Sequence, residues 1–378
     1  MIRVLQKTAT LGSGGIQKIL VELQKNMDRN VVQYDYFLNL TEPDFYTDEV
    51  LSLGGKIYGR KHNVGNPVTK IIKRNVLFYK TIKENGYQIV HIDETLEMTA
   101  ISVLVARLAG VKVIIAHSHN DHASEKIKWY LKYIIDPIAR WVNSTFATDY
   151  FACSQIAAKW LFTERLNEKG IIKIINNGIN AALYEFDPNT RKEVREKLGI
   201  ENNFVIGHVG RFYKQKNHKF ILDTFSDIVK QKPEARLLLI GEGELKDSIK
   251  AYAEELGISD SVIFYGLSNE VNKLLQAFDA FVFPSIFEGF GIVAVEAQAA
   301  SVQTFCAEET IAKEVNITPY CHYIPLSKGH EYWAKSIIEI ACSYERKSTT
   351  KIIQDANFDI VTVAKDLETF YVQKVAAL

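Results

Sequence analysis

The sequence has little that would tie it to disulfides, metals or a membrane span. Its four cysteines, Cys153, Cys306, Cys321 and Cys342, form no C-x-x-C pair and no cluster with histidines. That pattern argues against a disulfide framework and against structural zinc. No apolar run reaches the ~20 residues that a membrane-spanning helix needs. Met1 leads directly into a strand-like segment without the basic and hydrophobic regions of a signal peptide. These absences predict a protein of the reducing cytoplasm.

Net charge is also absent, because 45 Lys and Arg balance 45 Asp and Glu. The charges are shared unevenly: residues 1–180 carry 23 basic and 17 acidic residues, and the remainder carries 22 and 28. A basic N-terminal half suits an anionic partner or an anionic membrane surface, although chance asymmetry between domains explains it equally well. Neutral overall charge and the lack of a recognised motif argue against nucleic-acid binding.

The length of 378 residues predicts two domains. In both halves apolar, β-prone runs alternate with helical patterns, which predicts an α/β fold of parallel sheets with helices on both faces. A cluster of turn formers at 176–180 separates the two series, so the predicted boundary lies at 180/181.

Residues 281–296, FVFPSIFEGFGIVAVE, are the stretch most indicative of chemistry. They predict a strand end, a glycine loop and a helix. Gly289 and Gly291 let a ligand approach the backbone, and the N–H groups of the helix's first turn favour an anion. Glu288 lies on the loop and Glu296 about one turn inside the helix. A sugar nucleotide offers phosphates to the helix end and hydroxyls to both carboxylates. The alternative is an exposed loop acid and a surface helix acid.

Two further glycine loops follow predicted strands. In the loop 210–217, Arg211 and Lys216 can both reach a diphosphate, the alternative being a solvated basic loop. The loop at Gly12–Gly15 precedes a helix and lets a phosphate or sugar sit against its N-terminus, and a plain tight turn explains it equally well. It is neither a dinucleotide fingerprint nor a Walker A loop.

His117 is predicted at the carboxyl end of a strand, where open α/β sheets bind ligands, so a substrate-site role is favoured over a structural one. His119 and His122 lie close by in the sequence and invite a zinc interpretation. We discount zinc, because there is no H-E-x-x-H pair, no partnering cysteine and no clear third ligand. For His119 and His122 a structural role is favoured.

The segment 126–142, KIKWYLKYIIDPIARWV, is basic, aromatic and amphipathic. Such a segment can lie in a membrane interface, although an ordinary helix buried on its aromatic side is the favoured alternative. Pro137 interrupts it, which predicts two helical pieces.

Glu288 and Glu296 resemble the E-x7-E motif of the family 4 retaining glycosyltransferases, and other motifs of that family match over nearly the whole chain. They are Gly12–Gly15 for its N-terminal glycine loop, His117 for its sugar-site histidine, Asn177–Asn180 for its N-G-I-D turn, Gly210-Arg211 with Lys216 for its diphosphate clamp, and Gly241–Gly243 for its G-x-G turn. The bacterial exopolysaccharide and capsule enzymes are the most similar members. One departure is Ser301-Val302-Gln303, which replaces the usual Gly-x-Pro turn.

The resemblance implies a GT-B fold, with two Rossmann-like domains facing a central cleft. Residues 1–180 would bind the acceptor, 181–356 the nucleotide-sugar donor, and a helix within 357–378 would return to the first domain. A UDP-sugar is the favoured donor, and a saccharide or polyprenyl-diphosphate-linked saccharide the acceptor. No metal and no cofactor are implied. The enzyme would work in the cytoplasm, peripherally at the inner face of the membrane.

The resemblance also implies residue roles. They are diphosphate binding by Arg211 and Lys216, phosphate binding by the backbone of Phe290, Gly291 and Ile292, ribose binding by Glu296, sugar binding by Glu288 and His117, and substrate contact at Gly14, Gly15, Gly210 and Gly241. Two alternatives stay open. A GT-B epimerase would turn over the donor without an acceptor, and a non-catalytic nucleotide-binding subunit would bind it without turnover.

Overall fold

The computed structural model describes residues 1–60, 66–119, 129–342 and 344–378. Contacts divide the chain into two units, one of Met1–Gly178 with Asn357–Leu378 and one of Ile179–Ala356. Among the helices of the described ranges, none combines the length and the apolar character needed to cross a bilayer.

The first unit is built on a seven-stranded parallel sheet. Its strands are β1 (Ile2–Thr8), β2 (Val32–Leu40), β3 (Ile57–Arg60), β4 (Ile89–Asp93), β5 (Val113–Ser118), β6 (Asp149–Ala152) and β7 (Lys173–Ile174). Its helices before the second unit are α1 (Gly15–Asn26), α2 (Thr47–Ser52), α3 (Pro67–Asn85), α4 (Leu96–Leu108), α5 (Trp129–Phe146), α6 (Gln155–Leu161) and α7 (Glu164–Glu168). The strand order β3-β2-β1-β4-β5-β6-β7 places β4 and β5 side by side. Their carboxyl ends therefore meet at one edge of the sheet.

Local sequence signals set the ends of α3. The Asn66 side chain accepts a hydrogen bond from the backbone N–H of Thr69, and Pro67 occupies the first turn, where its missing N–H costs nothing. Gly86 ends the helix in the left-handed conformation, at φ 65°. Helix α3 therefore runs from Pro67 to Asn85.

The two helical pieces predicted around Pro137 are wrong, because α5 is one helix with Pro137 inside it. A proline this far from the first turn removes one backbone hydrogen bond, yet α5 packs along α4, and tertiary packing supplies most of a helix's stability. Residues 126–128 of the predicted amphipathic segment lie outside the described residues, as does His122.

The second unit is built on a six-stranded parallel sheet. Its strands are β8 (Val205–Val209), β9 (Arg236–Ile240), β10 (Val262–Gly266), β11 (Ala280–Phe283), β12 (Gln303–Ala307) and β13 (Cys321–Ile324). Its helices are α8 (Ala181–Tyr184), α9 (Pro188–Leu198), α10 (His218–Gln231), α11 (Lys246–Glu255), α12 (Val271–Gln276), α13 (Ile292–Ala299), α14 (Gly329–Ala341) and α15 (Thr350–Asp355). The order β10-β9-β8-β11-β12-β13 makes β8 and β11 neighbours.

The chain then returns to the first unit through α16 (Ile360–Ala376), which packs against α1. Asp359 caps α16 by accepting from the backbone N–H of Val361. Gly178 must be glycine for this packing, because a Cβ there would lie 2.9 Å from Cα of Ile360.

The turn before β12 explains how the chain manages without the Gly-x-Pro turn. Ser301 adopts a left-handed conformation, φ 57°, which glycine would adopt without strain. Its hydroxyl donates to the carbonyl of Lys347 at 2.8 Å, and the backbone N–H of Val302 donates to Ala297 at 3.0 Å. A side-chain hydrogen bond therefore holds the turn that glycine would otherwise permit, and β12 begins at Gln303 directly after it.

Candidate active site

The loops after β8 and β11 meet because their strands are adjacent. The Gln215 side-chain amide donates to the carbonyl of Phe287 at 3.0 Å, and the backbone carbonyl of Gln215 accepts from the backbone N–H of Ile286 at 2.8 Å. The Asn217 side chain donates to the carbonyl of Pro284 at 3.1 Å. These hydrogen bonds join the loop 210–217, predicted to bind a diphosphate, to the loop after β11 that carries Glu288.

Lys216 and Glu288 form an ion pair within this piece, with Nζ 2.5 Å from Oε1. The exposed fractions of the two side chains are 15% and 10%, so both charges are largely withdrawn from water. The Lys216 ammonium also lies 4.9 Å from the centre of the Phe283 ring. At this position the Glu288 carboxylate can accept hydrogen bonds from hydroxyl groups, and the Lys216 ammonium can donate to phosphate oxygens.

Arg211 stands on the same loop but is exposed. Its guanidinium carbon lies 4.9 Å from the centre of the Tyr213 ring, so the side chain is stacked and extended rather than buried. An exposed, stacked guanidinium keeps its donors available for an arriving anion.

The packing of one turn on another explains why positions 210 and 241 are occupied by glycine. Gly241 has a positive φ of 143°, and a Cβ there would lie 2.1 Å from the carbonyl oxygen of Gly210. The N–H of Gly210 donates to the carbonyl of Ile240 at 2.9 Å. The turn after β9 is thereby pressed against the turn that carries Arg211, a structural reason for glycine that the sequence analysis did not consider.

Gly291 precedes α13 in the left-handed conformation, φ 93°, and a Cβ there would lie 2.8 Å from Cε1 of Phe283. Phe290 is buried, and Ile292 opens the helix. The first-turn N–H groups of α13 therefore begin beside the loop that carries Glu288, as an anion site requires.

Glu296 is buried inside α13, and the Tyr184 hydroxyl donates to its Oε1 at 2.7 Å. Tyr184 ends α8, more than a hundred residues earlier in the chain. No motif in the sequence marks Tyr184, because its role depends on α8 packing against α13.

His208 is a second residue that the sequence analysis missed. It is buried under the Lys216 loop, and its Nδ1 must donate to the carbonyl of Val282, 2.8 Å away, because a carbonyl can only accept. Its ring stacks with those of Phe281 and Phe283. Burial lowers the pKa of His208 well below its ordinary value, so the ring is neutral.

In the first unit, His117 lies at the carboxyl end of β5, as predicted, and meets two residues of the adjacent strand β4. Its Nδ1 is 3.0 Å from Nε2 of His91 and 3.3 Å from Oδ1 of Asp93. His119 joins them, with Nε2 2.8 Å from the same Asp93 oxygen. All four side chains are buried.

The charge states in this cluster follow from burial and from the neighbours. Burial lowers the pKa of His117 to about 3, with a smaller contribution from His119. Burial by itself would raise the pKa of Asp93, but His91, His117 and His119 together hold it well below its usual range. The cluster therefore contains a carboxylate beside the neutral imidazoles of His91 and His117.

His91, Asp93 and His117 are also the described residues that could hold a metal ion, since one ligand atom from each lies within 4.8 Å of the others. The sequence reveals no clear third ligand near His117, because the further candidates, His91 and Asp93, come from β4. This strand pairs with β5 so that His91 lies opposite Ile115. His119, assigned a structural role, belongs to the same cluster.

Gly14 and Gly15 stand at the start of α1, in the same unit as His117. Gly14 has an extended conformation, φ −78°, and a Cβ there would meet only the end of the flexible Gln17 side chain. The predicted site residues therefore divide between the units: His117, Gly14 and Gly15 belong to the first, and the other predicted residues to the second.

Known proteins resemble this chain in sequence and in fold. The model of the family "Glycosyl transferases group 1" matches residues 190–356. The protein named "Putative glycosyltransferase EpsF" of Bacillus subtilis (strain 168) is 31% identical over 344 residues, covering 90% of this chain and 88% of that protein. The "UDP-Gal:alpha-D-GlcNAc-diphosphoundecaprenol alpha-1,3-galactosyltransferase" of Escherichia coli is 28% identical over 246 residues, covering 62% of this chain and 61% of that protein.

Among solved structures, Anabaena Alr3699/HepE in complex with UDP and glucose matches with a TM-score of 0.76 at 19% identity, covering 100% of both chains. The full-length match and the two parallel sheets confirm the predicted GT-B fold. On the extent and identity of the match to its Bacillus relative, the chain belongs to the group 1 glycosyltransferases, the GT4 family.

Proposed function

We propose that this glycosyltransferase moves a sugar from a UDP-sugar to a saccharide carried on a polyprenyl diphosphate, with retention of anomeric configuration, in cell-surface polysaccharide synthesis. The observation that carries the proposal is the Lys216–Glu288 pair beside the N-terminus of α13. Phosphate oxygens and sugar hydroxyls occur next to each other in a nucleotide sugar, and this edge offers a partner to each.

The second unit would bind the donor. Lys216 and Arg211 hold the diphosphate and stabilise its charge as it leaves, assisted by the backbone N–H groups of Phe290, Gly291 and Ile292. The cationic side chains supply this stabilisation without a metal ion. Lys216 is already paired with Glu288. When the donor binds, its diphosphate therefore shares the Lys216 ammonium with Glu288 or replaces Glu288 as its partner, and the Glu288 carboxylate turns to the sugar.

Glu296 would bind the ribose hydroxyls, with Tyr184 fixing the orientation of its carboxylate. In the first unit His117 would accept a hydrogen bond from a sugar hydroxyl near the anomeric centre. Gly14 and Gly15 would allow a substrate to approach the start of α1. Two of the similar proteins support the choice of substrates, since the name of the Escherichia coli enzyme includes UDP-Gal and diphosphoundecaprenol and the Anabaena structure contains UDP and glucose.

The test is release of UDP from a panel of UDP-sugars, with and without lipid-diphosphate saccharide acceptors. Wild type is compared with Glu288→Gln, and Glu308→Gln is the control, because Glu308 forms an exposed Lys–Glu pair in the same unit. Acceptor-dependent release that only Glu288→Gln loses supports the proposal. Turnover of the donor without an acceptor would favour the GT-B epimerase. Nucleotide binding without any turnover would favour the non-catalytic nucleotide-binding subunit.

We also propose that the first unit lies on an anionic membrane surface. Helix α3 exposes an apolar stripe at helical spacing, and α4 and α5, which pack beside it in turn, expose more apolar side chains. The exposed apolar residues are Val68, Ile72, Val76 and Tyr79 on α3, Leu104 and Leu108 on α4, and Tyr133, Ile134, Ile138 and Trp141 on α5. Exposed Lys73, Lys80 and Lys83 lie on α3, so apolar and basic groups occur together.

Sedimentation with vesicles of anionic phospholipid at low salt tests this surface. We expect binding that weakens in high salt and in the double variant Ile72→Ser/Val76→Ser, while zwitterionic vesicles bind less. Val361→Ser, an exposed apolar change on α16, is the matched control. Failure to bind anionic vesicles would overturn the membrane proposal and leave the transferase proposal standing.

A further inference from the structure

The two histidines at the end of β5 share one carboxylate oxygen. Oδ1 of Asp93 is 2.8 Å from Nε2 of His119 and 3.3 Å from Nδ1 of His117. An ionised carboxylate can only accept hydrogen bonds, so Nε2 of His119, which is hydrogen-bonded to it, carries a proton. The His117 contact is not a hydrogen bond, but a negatively charged oxygen 3.3 Å away favours a proton over a lone pair on Nδ1. The geometry therefore assigns the Nδ1–H tautomer to His117 and a proton on Nε2 to His119.

His91 extends the same assignment toward α16. The centres of the His91 and His117 rings are 5.1 Å apart, whereas the facing nitrogens are only 3.0 Å apart and the ring planes differ by 28°. The rings therefore lie edge to edge, the geometry of an in-plane N–H···N hydrogen bond. Since Nδ1 of His117 holds the proton, Nε2 of His91 accepts, and Nδ1 of His91 donates to the Tyr371 hydroxyl at 2.7 Å.

The Tyr371 hydroxyl lies in turn 3.1 Å from that of Tyr34. Both phenols are buried, and burial raises the pKa of each. Both hydroxyls therefore stay protonated and continue the series of hydrogen bonds. A residue near the end of the polypeptide thus belongs to the hydrogen-bonded chain that ends at His117.

This proton arrangement leaves unpartnered polar atoms in the cluster. Nε2 of His117, Nδ1 of His119 and Oδ2 of Asp93 are buried and have no hydrogen-bond partner among the described residues. Nε2 of His117 and Oδ2 of Asp93 each present a lone pair. Buried polar groups are rarely left unpaired, so these neighbouring acceptors indicate a ligand that brings donors. Sugar hydroxyls are such donors.

A metal ion fits the arrangement less well. Two imidazoles that bind one metal ion direct their lone pairs at the ion. Here Nε2 of His91 and Nδ1 of His117 instead point at each other, and their separation of 3.0 Å is that of an N–H···N hydrogen bond.

We propose that Asp93 is a positioning residue that, with His91 and Tyr371, sets the tautomer of His117 so that Nε2 of His117 presents an acceptor to a hydroxyl of a sugar substrate. The sugar ligand rests on the proposed function, while the tautomers do not. In Asp93→Asn the amide can donate to either histidine, so His117 is free to carry its proton on Nε2. An acceptor for the sugar hydroxyl then becomes a competing donor, and kcat falls by about 100-fold or more.

The test is ¹⁵N NMR of the full chain labelled at histidine, without ligand, at pH 7. Signals are assigned by their loss in His117→Gln and His119→Gln. We expect a neutral His117 ring with its proton on Nδ1 and a His119 ring that carries a proton on Nε2. Asp93→Asn should change the His117 pattern, whereas Asp35→Asn should not, because Asp35 is a buried carboxylate of the same unit that pairs with Arg3 instead.

Two results would overturn the proposal. One is a wild-type His117 protonated on Nε2, or unchanged tautomers in Asp93→Asn. The other is stoichiometric zinc in the purified protein whose removal by a chelator shifts these histidine signals. Tyr371→Phe provides a milder variant that should preserve the His117 tautomer, since Asp93 remains. An inactive wild-type enzyme with the expected tautomers would count against the proposed function and not against the positioning role.

Discussion

The ammonium of Lys216 and the carboxylate of Glu288 lie 2.5 Å apart, although 72 residues separate them in the chain. Their loops follow the adjacent parallel strands β8 and β11, so the pairing is a consequence of strand order. With 15% and 10% of the two side chains exposed, solvent screens this pair far less than an ordinary surface ion pair. Removing one partner therefore leaves the other poorly compensated.

We expect Lys216→Met to reduce kcat/KM for the donor by about 100-fold or more, because one cation facing the leaving diphosphate is lost. Methionine keeps an apolar stem over Phe283, so packing changes little. Lys214→Met is the control, since Lys214 is an exposed lysine of the same short turn. An equal loss in both variants would show that the loop's general charge matters rather than the Lys216 position.

Tyr184→Phe should weaken donor-nucleotide binding about fivefold, which corresponds to the roughly 1 kcal/mol that a typical hydrogen bond contributes. The change removes the hydroxyl that donates to Glu296 and leaves the ring in place. Titration calorimetry with UDP measures it. Tyr320→Phe is the control, because its hydroxyl donates to the carbonyl of Glu345 on an exposed surface. Unchanged UDP affinity in Tyr184→Phe would remove Tyr184 from the nucleotide site.

Gly241→Ala should destabilise the second unit by roughly 3 kcal/mol or more, from left-handed strain combined with overpacking against the Gly210 carbonyl. Gly257→Ala should cost only about 1–2 kcal/mol, because its φ of 69° is strained but nothing lies within 4 Å of the new Cβ. Urea unfolding of the two variants gives the comparison. Equal destabilisation would mean that the two turns can move apart.

The buried histidines make stability dependent on pH. Burial lowers the pKa of His218 to about 4, with a smaller effect of Lys216, against an ordinary value of 6.5. Between these values the unfolded chain binds a proton that the folded chain does not. The free energy of unfolding therefore decreases as pH falls from about 6.5 toward 4, by at most about 1.4 kcal/mol per pH unit for each such group.

Urea midpoints at pH 7.5 and pH 5 test this dependence, and His218→Phe should reduce it. Phenylalanine keeps the stacking on Phe212, whose ring centre lies 4.2 Å from that of His218, and does not titrate. The neighbouring charged and titratable groups, Lys216 and His208, remain in the variant. An identical pH dependence in wild type and variant would show that His218 does not titrate in this range.

Much of the site could be predicted from local sequence. Glycines beside strand ends, Glu288 and Glu296 at fixed spacing, and the basic residues of the Gly210 loop are encoded within short segments. Strand and helix periodicity indicated the α/β class, because side-chain burial repeats with the geometry of each element. Two helical pieces were predicted around Pro137, but the structure has one continuous helix there. The prediction was wrong because tertiary packing outweighed the local effect of proline.

Only the tertiary structure brought Tyr184 to Glu296 and placed Asp93 and His91 beside His117. These contacts join residues on different elements, and their partners are set by strand order and helix packing, which no local pattern records. The sequence by itself determined which chemical groups stand at the ends of the strands. The fold decided which of those groups share protons and charge, because hydrogen bonds and ion pairs form only between atoms that packing brings within about 3 Å.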